Sequence, residues 1–235
     1  MRVTLKRRLK SKNIPMVKRF FDILLSSIAL ALLAPMFLVI IVILRLTGEG
    51  EVFYLQERVG YRNQPFKIIK FATMLANSEK MGTGSLTLRN DPRVLPVGKF
   101  LRKTKINELP QFINVFIGNM SLVGPRPQMA RDLAKFQPDA QERMYYSKPG
   151  ITGLGSIVFR DEERWISEYE GDKHEFYREK IAPYKGELEL WYGKHKDVFM
   201  DLKLLFITAY VILYPMSDIL YNSINDLPRR PSHLK

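Results

Sequence analysis

Twenty-two consecutive residues, Ile23 to Leu44, carry no charge. A helix in a soluble core is seldom apolar on every side for that length, and about 20 apolar residues match the hydrocarbon thickness of a bilayer. The segment therefore belongs in a membrane. It is too long for the apolar region of a cleaved leader, and no small-residue cleavage site follows it. Pro35 sits in its middle, where it removes a backbone hydrogen bond and bends a helix. Basic residues stand on both flanks. Arg2, Lys6, Arg7, Arg8, Lys10, Lys12, Lys18 and Arg19 precede the segment without an acid among residues 1–19, and Arg45, Arg58, Arg62, Lys67 and Lys70 follow it. The positive-inside tendency favours keeping both flanks in the cytoplasm. A helix broken at Pro35 that re-enters the same leaflet satisfies this; a straight span remains open on the residues alone.

At 235 residues the chain has room for one sizeable domain with a smaller appendage. The lack of cysteine excludes disulfides, thiolate zinc sites and a cysteine nucleophile. A net charge of +13 calls for a polyanionic partner: nucleic acid, anionic lipid or a phosphorylated substrate. No recognition helix or RNA-binding motif is present, and the basic cluster borders the apolar segment, so nucleic acid is set aside.

Beyond the anchor, Val52-Phe53-Tyr54-Leu55 and Phe66 to Phe71 flank the polar turn Gly60-Tyr61-Arg62-Asn63, which predicts a hairpin. Residues 77–93 read as a polar loop containing Gly82-Thr83-Gly84-Ser85, without the context of a phosphate-binding loop. A helix is expected from Asn107 as N-cap, with Pro110 in its first turn, Leu109, Phe112, Ile113 and Phe116 on an apolar stripe, and Gly118 as its stop. Its positive end then forms an anion site at Asn107-Glu108; alone, Glu108 reads as a first-turn acid complementing the helix dipole. Gly124-Pro125-Arg126-Pro127 is a stiff turn presenting Arg126, a fork-shaped donor suited to phosphate oxygens. Residues 160–196 read as solvated amphipathic helices, and Asp197–Leu213 as an interfacial helix. His174 and His195 lack metal-ligand spacing.

These residues resemble the bacterial sugar transferases, the monotopic polyprenyl-phosphate phosphoglycosyl transferases. The matching runs are Lys18-Arg19-Phe20-Phe21-Asp22, Gln56-Glu57-Arg58-Val59-Gly60, Lys70-Phe71-Ala72-Thr73-Met74, Asp91-Pro92-Arg93-Val94, Gly98 to Thr104, Glu108-Leu109-Pro110-Gln111, Gly118 to Pro127 and Pro149-Gly150-Ile151-Thr152-Gly153. The resemblance covers roughly residues 18–155 closely. It implies an α/β mixed, mainly helical fold: a basic cytoplasmic tail (1–19), a re-entrant membrane helix (20–46), a compact cytosolic catalytic domain with a short hairpin (47–160) and C-terminal amphipathic and interfacial helices (161–235). It implies a minimal form at the cytoplasmic face of the bacterial inner membrane.

The implied reaction transfers a sugar-1-phosphate from a UDP-sugar to undecaprenyl phosphate, releases UMP, needs Mg2+, and starts exopolysaccharide or lipopolysaccharide assembly. Glu108 and Asn107 are the implied catalytic and metal positions. Lys70, Arg102, Arg126, Gln111 and Lys148 are the implied substrate-binding ones. Anionic lipids are expected to attract the basic tail, and the apolar C-terminal half suits pairing of two copies. Many relatives have Asp where this chain has Asn107, and that Asp is taken as a covalent nucleophile; an amide is a poor one. Glu108 attacking in its place, direct attack by the lipid phosphate, and an inactive scaffold that binds UDP-sugar or a transferase partner all remain open. Ala72, Lys148 and Ser156 are further departures from the family pattern.

Overall fold

The structure, a computed structural model, describes residues 16–47, 49–81, 91–214 and 217–234. The Gly82-Thr83-Gly84-Ser85 segment and most of the basic tail lie outside them. The chain opens with α1, Met16–Leu46, a single helix with Pro35 inside it. The expected break at Pro35 is thus no interruption of helical structure. Among the described residues α1 is the one helix long and apolar enough to cross a membrane, and 17% of its most apolar 18-residue stretch is buried. A soluble core helix would be covered on most sides; this one shows one covered stripe, with Asp22, Ser26, Phe37, Ile40 and Leu44 buried.

Both ends of α1 are tied to the same folded body. At one end Asp22 Oδ1 accepts hydrogen bonds from Ser121 Oγ (3.0 Å) and Leu122 N–H (2.9 Å). Lys18 donates to Val123 O at 2.9 Å and pairs with Asp201. Arg19 caps the carbonyls of Val115 and Phe116 at 2.6 and 2.7 Å. At the other end Phe37, Ile40 and Leu44 form a satellite core with Phe71 and Leu101.

The predicted hairpin is present: β1, Phe53–Val59, pairs antiparallel with β2, Pro65–Phe71, with Phe53 opposite Phe71. α2 is Pro96–Lys103, and a 3-10 turn, Ile106–Glu108, leads into α3, Gln111–Ile117. This corrects the helix expected from Asn107. Lys105 adopts a left-handed conformation (φ 59°), the tight turn carries Asn107 and Glu108, and Pro110 occupies the N-cap of α3. Pro110 lacks an N–H and cannot sit deep in a helix, so the chain tightens before it. Gly118 ends α3 as expected. The apolar stripe is divided: Leu109 packs on the satellite core, Phe112 on the main one, and Phe116 is exposed.

β3, Ser121–Val123, lies parallel to β4, Gly150–Thr152. Between them run α4, Ala130–Leu133, and α5, Pro138–Arg143. After β4 come α6, Leu154–Val158, α7, Glu162–Glu168, and α8, Lys173–Phe176, then a π-helical turn at Tyr177–Ile181. α9, Ala182–His195, α10, Val198–Leu213, and α11, Ile219–Ser223, follow, with a 3-10 turn at Ser232–Leu234 after them. The main core gathers Val115, Met120, Tyr145, Leu154, Ile181, Leu188, Tyr192, Leu204 and Ile207, all nearly inaccessible. The solvated character expected for residues 160–196 is therefore wrong for α9. Tyr184, Lys185, Leu188, Glu189 and Tyr192 are buried there, the two charged groups included.

Candidate active site

The hairpin presents Lys70, the 3-10 turn presents Glu108, and the turn after β3 presents Arg126. Their convergence has identifiable causes. Asn114, fully buried on α3, spends both ends of its amide on β2: Oδ1 accepts Ile69 N–H at 2.9 Å and Nδ2 donates to Lys67 O at 2.8 Å. That clamp sets the strand carrying Lys70 against the segment carrying Glu108.

The Arg126 turn is fixed by the meeting of two sequence motifs. Gly124 N–H donates to Thr152 O (2.9 Å) and Gly150 N–H to Pro125 O (2.9 Å). A Cβ on Gly124 would lie 2.2 Å from Lys148 O, and one on Gly150 would lie 2.1 Å from Gly124 N. No side chain fits between these backbones, which explains both glycines. Tyr145 closes the turn, its hydroxyl accepting from Gln128 N–H (2.7 Å) and donating to Arg126 O (2.9 Å).

The outcome is a carboxylate gripped by cations. Arg126 Nη2 and Nη1 donate to the two Glu108 oxygens at 3.0 and 3.5 Å, and Lys70 Nζ reaches Oε1 at 3.3 Å. Burial is the largest single influence on Glu108 and works to raise its carboxyl. The charges of Arg126, Lys70 and Lys105 together outweigh it and hold the group well below the usual carboxylate range. Lys70 is moved the other way: burial lowers its ammonium to about 8, with Glu108 opposing and Arg58, Arg126 and Arg102 assisting. Arg126 is raised, chiefly by Glu108.

These groups line a cavity of about 1070 Å3. Arg58, Arg102 and Lys105 line it too, as do Glu162 and Glu163. Arg102 donates to Glu163 at 3.0 Å, and Arg58 Nη1 to Pro127 O at 3.2 Å. Apolar side chains line it as well: Ile151, Ile157 and Phe159 and, from α10, Leu205, Val211 and Ile212, with Arg160 donating to the Val211 carbonyl among them. One cavity therefore brings a cluster of cations and a set of apolar side chains into the same lining.

Of the residues expected at the site, Glu108, Asn107, Lys70, Arg102 and Arg126 line this cavity. Gln111 is buried, and it is not in the cavity lining. Lys148 lies elsewhere, its ammonium 3.5 Å from where a Cβ on Gly118 would be, beside Arg19. Asn107 Oδ1 is a buried acceptor without a partner. Sequence reasoning gave no site role to Arg58, Glu162, Glu163, Lys185 or Glu189. Arg58 lay within a quoted motif, but the others sit in charged stretches that read as solvated surface.

Residues 13–215 match the family described as Bacterial sugar transferase. Exopolysaccharide production protein ExoY of Rhizobium meliloti is 38% identical over 163 residues, covering 63% of this chain and 71% of its own length. UDP-glucose:undecaprenyl-phosphate glucose-1-phosphate transferase of Klebsiella pneumoniae is 38% identical over 197 residues, 82% of this chain and 39% of its own. Undecaprenyl-phosphate galactose phosphotransferase of Salmonella typhimurium is 32% identical over 230 residues, 91% of this chain and 44% of its own. The chain spans less than half the length of these last two. It belongs to the bacterial sugar transferase family.

Proposed function

We propose that this bacterial sugar transferase moves a sugar-1-phosphate from a UDP-sugar to undecaprenyl phosphate, releasing UMP and starting assembly of a cell-surface polysaccharide. The observation that carries this reading is the cavity's mixed lining of cations and apolar side chains. Its cations suit two phosphorylated molecules whose mutual repulsion must be offset, and its apolar side chains suit an acceptor with a hydrocarbon tail. The relatives from Klebsiella and Salmonella are named for undecaprenyl-phosphate chemistry, which supports the same class of acceptor.

The route that fits this chain is direct displacement. An oxygen of the lipid phosphate attacks the β-phosphorus of the UDP-sugar. The new P–O bond forms as the bond from that phosphorus to the bridging oxygen breaks, and UMP leaves. The attacking oxygen is already anionic, so no general base is required. That agrees with Glu108, whose carboxyl is held too acidic to accept a proton near neutrality. Both its oxygens are also engaged by Arg126 and Lys70. Glu108 instead holds the two cations in place until the diphosphate takes them over. Asn107, an amide, contributes no nucleophile.

The donor set fits Mg2+. Asn107 Oδ1 is an oxygen free of other partners, and a Glu108 oxygen would become available to the ion once the diphosphate draws off Arg126 and Lys70. Among the described residues no cluster of three or more His, Cys, Asp or Glu side chains forms a dedicated metal cage. Mg2+ characteristically takes one or two protein oxygens and leaves the rest to water and phosphate. When bound it would neutralise charge on the diphosphate.

For placement, a re-entrant α1 at the cytoplasmic face of the inner membrane accounts for the contacts at both of its ends. A helix crossing to the far leaflet would carry one end away from the folded body. Along α10, Phe199, Phe206 and Leu213 are 84%, 65% and 74% exposed while Leu204, Ile207 and Val211 are buried. An interfacial helix whose outer face meets lipid accounts for that division.

The test is intact mass together with UMP release. With UDP-sugar alone, direct displacement yields no added phosphosugar mass and no UMP; adding undecaprenyl phosphate and Mg2+ starts release. An adduct mapping to Glu108 would replace direct displacement with a two-step route. Thermal stabilisation by UDP-sugar with no UMP under any condition would mark a binding scaffold.

A further inference from the structure

A second buried carboxylate lies behind Arg126. Glu189, on α9, is 1% exposed. Its Oε1 faces the Arg126 backbone N–H at 3.4 Å and packs so closely on α6 that a Cβ on Gly155 would sit 2.3 Å away. Its Oε2 is buried with no partner. Lys185 stands one turn earlier, but its ammonium is bound to Glu162 and lies over the Phe159 and Tyr177 rings. The titratable groups facing Glu189 are Arg126 from the turn, Lys185 and Tyr192 on its own helix, and Tyr145 from the segment before β4.

Resting on the transferase reading of this cavity, we propose that Glu189 is a positioning residue for Arg126 and takes up a proton when an anionic ligand enters. The two oxygens divide the work. Oε1 accepts from the Arg126 amide whether or not the group is ionised, so the turn keeps its seat. Oε2 has no donor to stabilise a negative charge and is the atom on which a proton can reside. In the free protein the Arg126 charge favours ionised Glu189. A phosphate taken up by Arg126 brings negative charge to the other side of that guanidinium and cancels this support. Burial lifts the carboxyl to about 7 against the opposing Arg126 amide, Lys185, the Gly155 amide and the Arg126 charge. A further rise on ligand binding therefore falls where the group is half titrated.

The experiment counts protons by calorimetry at pH 7 in buffers of different ionisation enthalpy, for the full-length protein and for Glu189→Gln. The probes are UDP and inorganic sulfate, whose charge is constant between pH 6 and 8. A ligand-induced rise of one unit takes up about 0.4 proton. The wild type is expected to exceed Glu189→Gln by about that amount with either probe, because contributions from Lys70 and from UDP itself are common to both proteins. Equal proton uptake by the two proteins overturns the proposal. Sulfate showing the difference while UDP fails to bind keeps the Glu189 assignment and removes the uridine-nucleotide reading. If neither probe binds the wild type, the anion site and the proposal fall together. Gly155→Ala gives a second check, since its methyl displaces the carboxylate from the Arg126 amide; it is expected to weaken sulfate binding severalfold, and unchanged binding would count against the positioning role.

Discussion

Glu108 and Glu189 flank the same arginine, yet they occupy opposite electrostatic regimes. Glu108 meets the Arg126 guanidinium and the Lys70 ammonium and stays ionised well below the usual carboxylate range. Glu189 meets the Arg126 backbone, finds its neighbouring lysine already paired, and is pushed up to about 7. Burial disfavours ionisation at both. What separates them is whether a cation points at the carboxylate, so burial alone is a poor guide to the charge of a buried acid.

The sharpest way to break this comparison is Glu108→Gln. It leaves Arg126 and Lys70 facing a neutral amide, and loss of such an electrostatic element costs about 100-fold or more in rate. UMP release is expected to fall at least that far, while Asn107→Ala only weakens it. If both variants keep full rate, Glu108 is not the organising carboxylate. An intermediate effect concerns pH. The folded-state value of Glu189 lies above its ordinary 4.5, so its stabilising contribution is complete below pH 4.5 and is lost as pH rises through about 7. Thermal melts at pH 5 and 8 should show wild type losing ground to Glu189→Gln at the higher pH. Glu108 has the opposite sign: its contribution is present above pH 4.5 and is lost as acid carries it through its depressed value. Glu108→Gln should therefore close its gap to wild type as pH falls. Parallel shifts for both variants would erase the distinction. The smallest effect belongs to Glu163→Gln, which frees Arg102 from a half-exposed pair; stability should change by about 0.2–1 kcal/mol in a denaturant titration.

Local signals carried much of the fold. The apolar run predicted α1, alternating residues around a polar turn predicted the β1–β2 hairpin, and Gly118 marked the end of α3. The same signals misplaced Asn107 and Glu108. An asparagine before a proline-containing apolar run reads as an N-cap, and nothing local reveals that Lys105 turns left-handed and draws both residues into a tight 3-10 turn. They also missed the burial of α9, where Lys185 and Glu189 read as solvent-facing charges.

What the sequence determined by itself was therefore the inventory: one greasy segment with basic flanks, a hairpin, two glycine-bearing turns and a carboxylate amid arginines. Those are short-range properties of spacing and residue type. Only the tertiary structure decided which charges meet. It brought Lys70, Glu108 and Arg126 together across the Asn114 clamp, and seated Gly124 against Gly150. It carried Lys148 out of the site and buried Glu189 behind Arg126. The physical reason is range. Helix and turn formation depends on neighbours a few residues away, whereas a side chain's charge state depends on groups that folding delivers from distant parts of the chain.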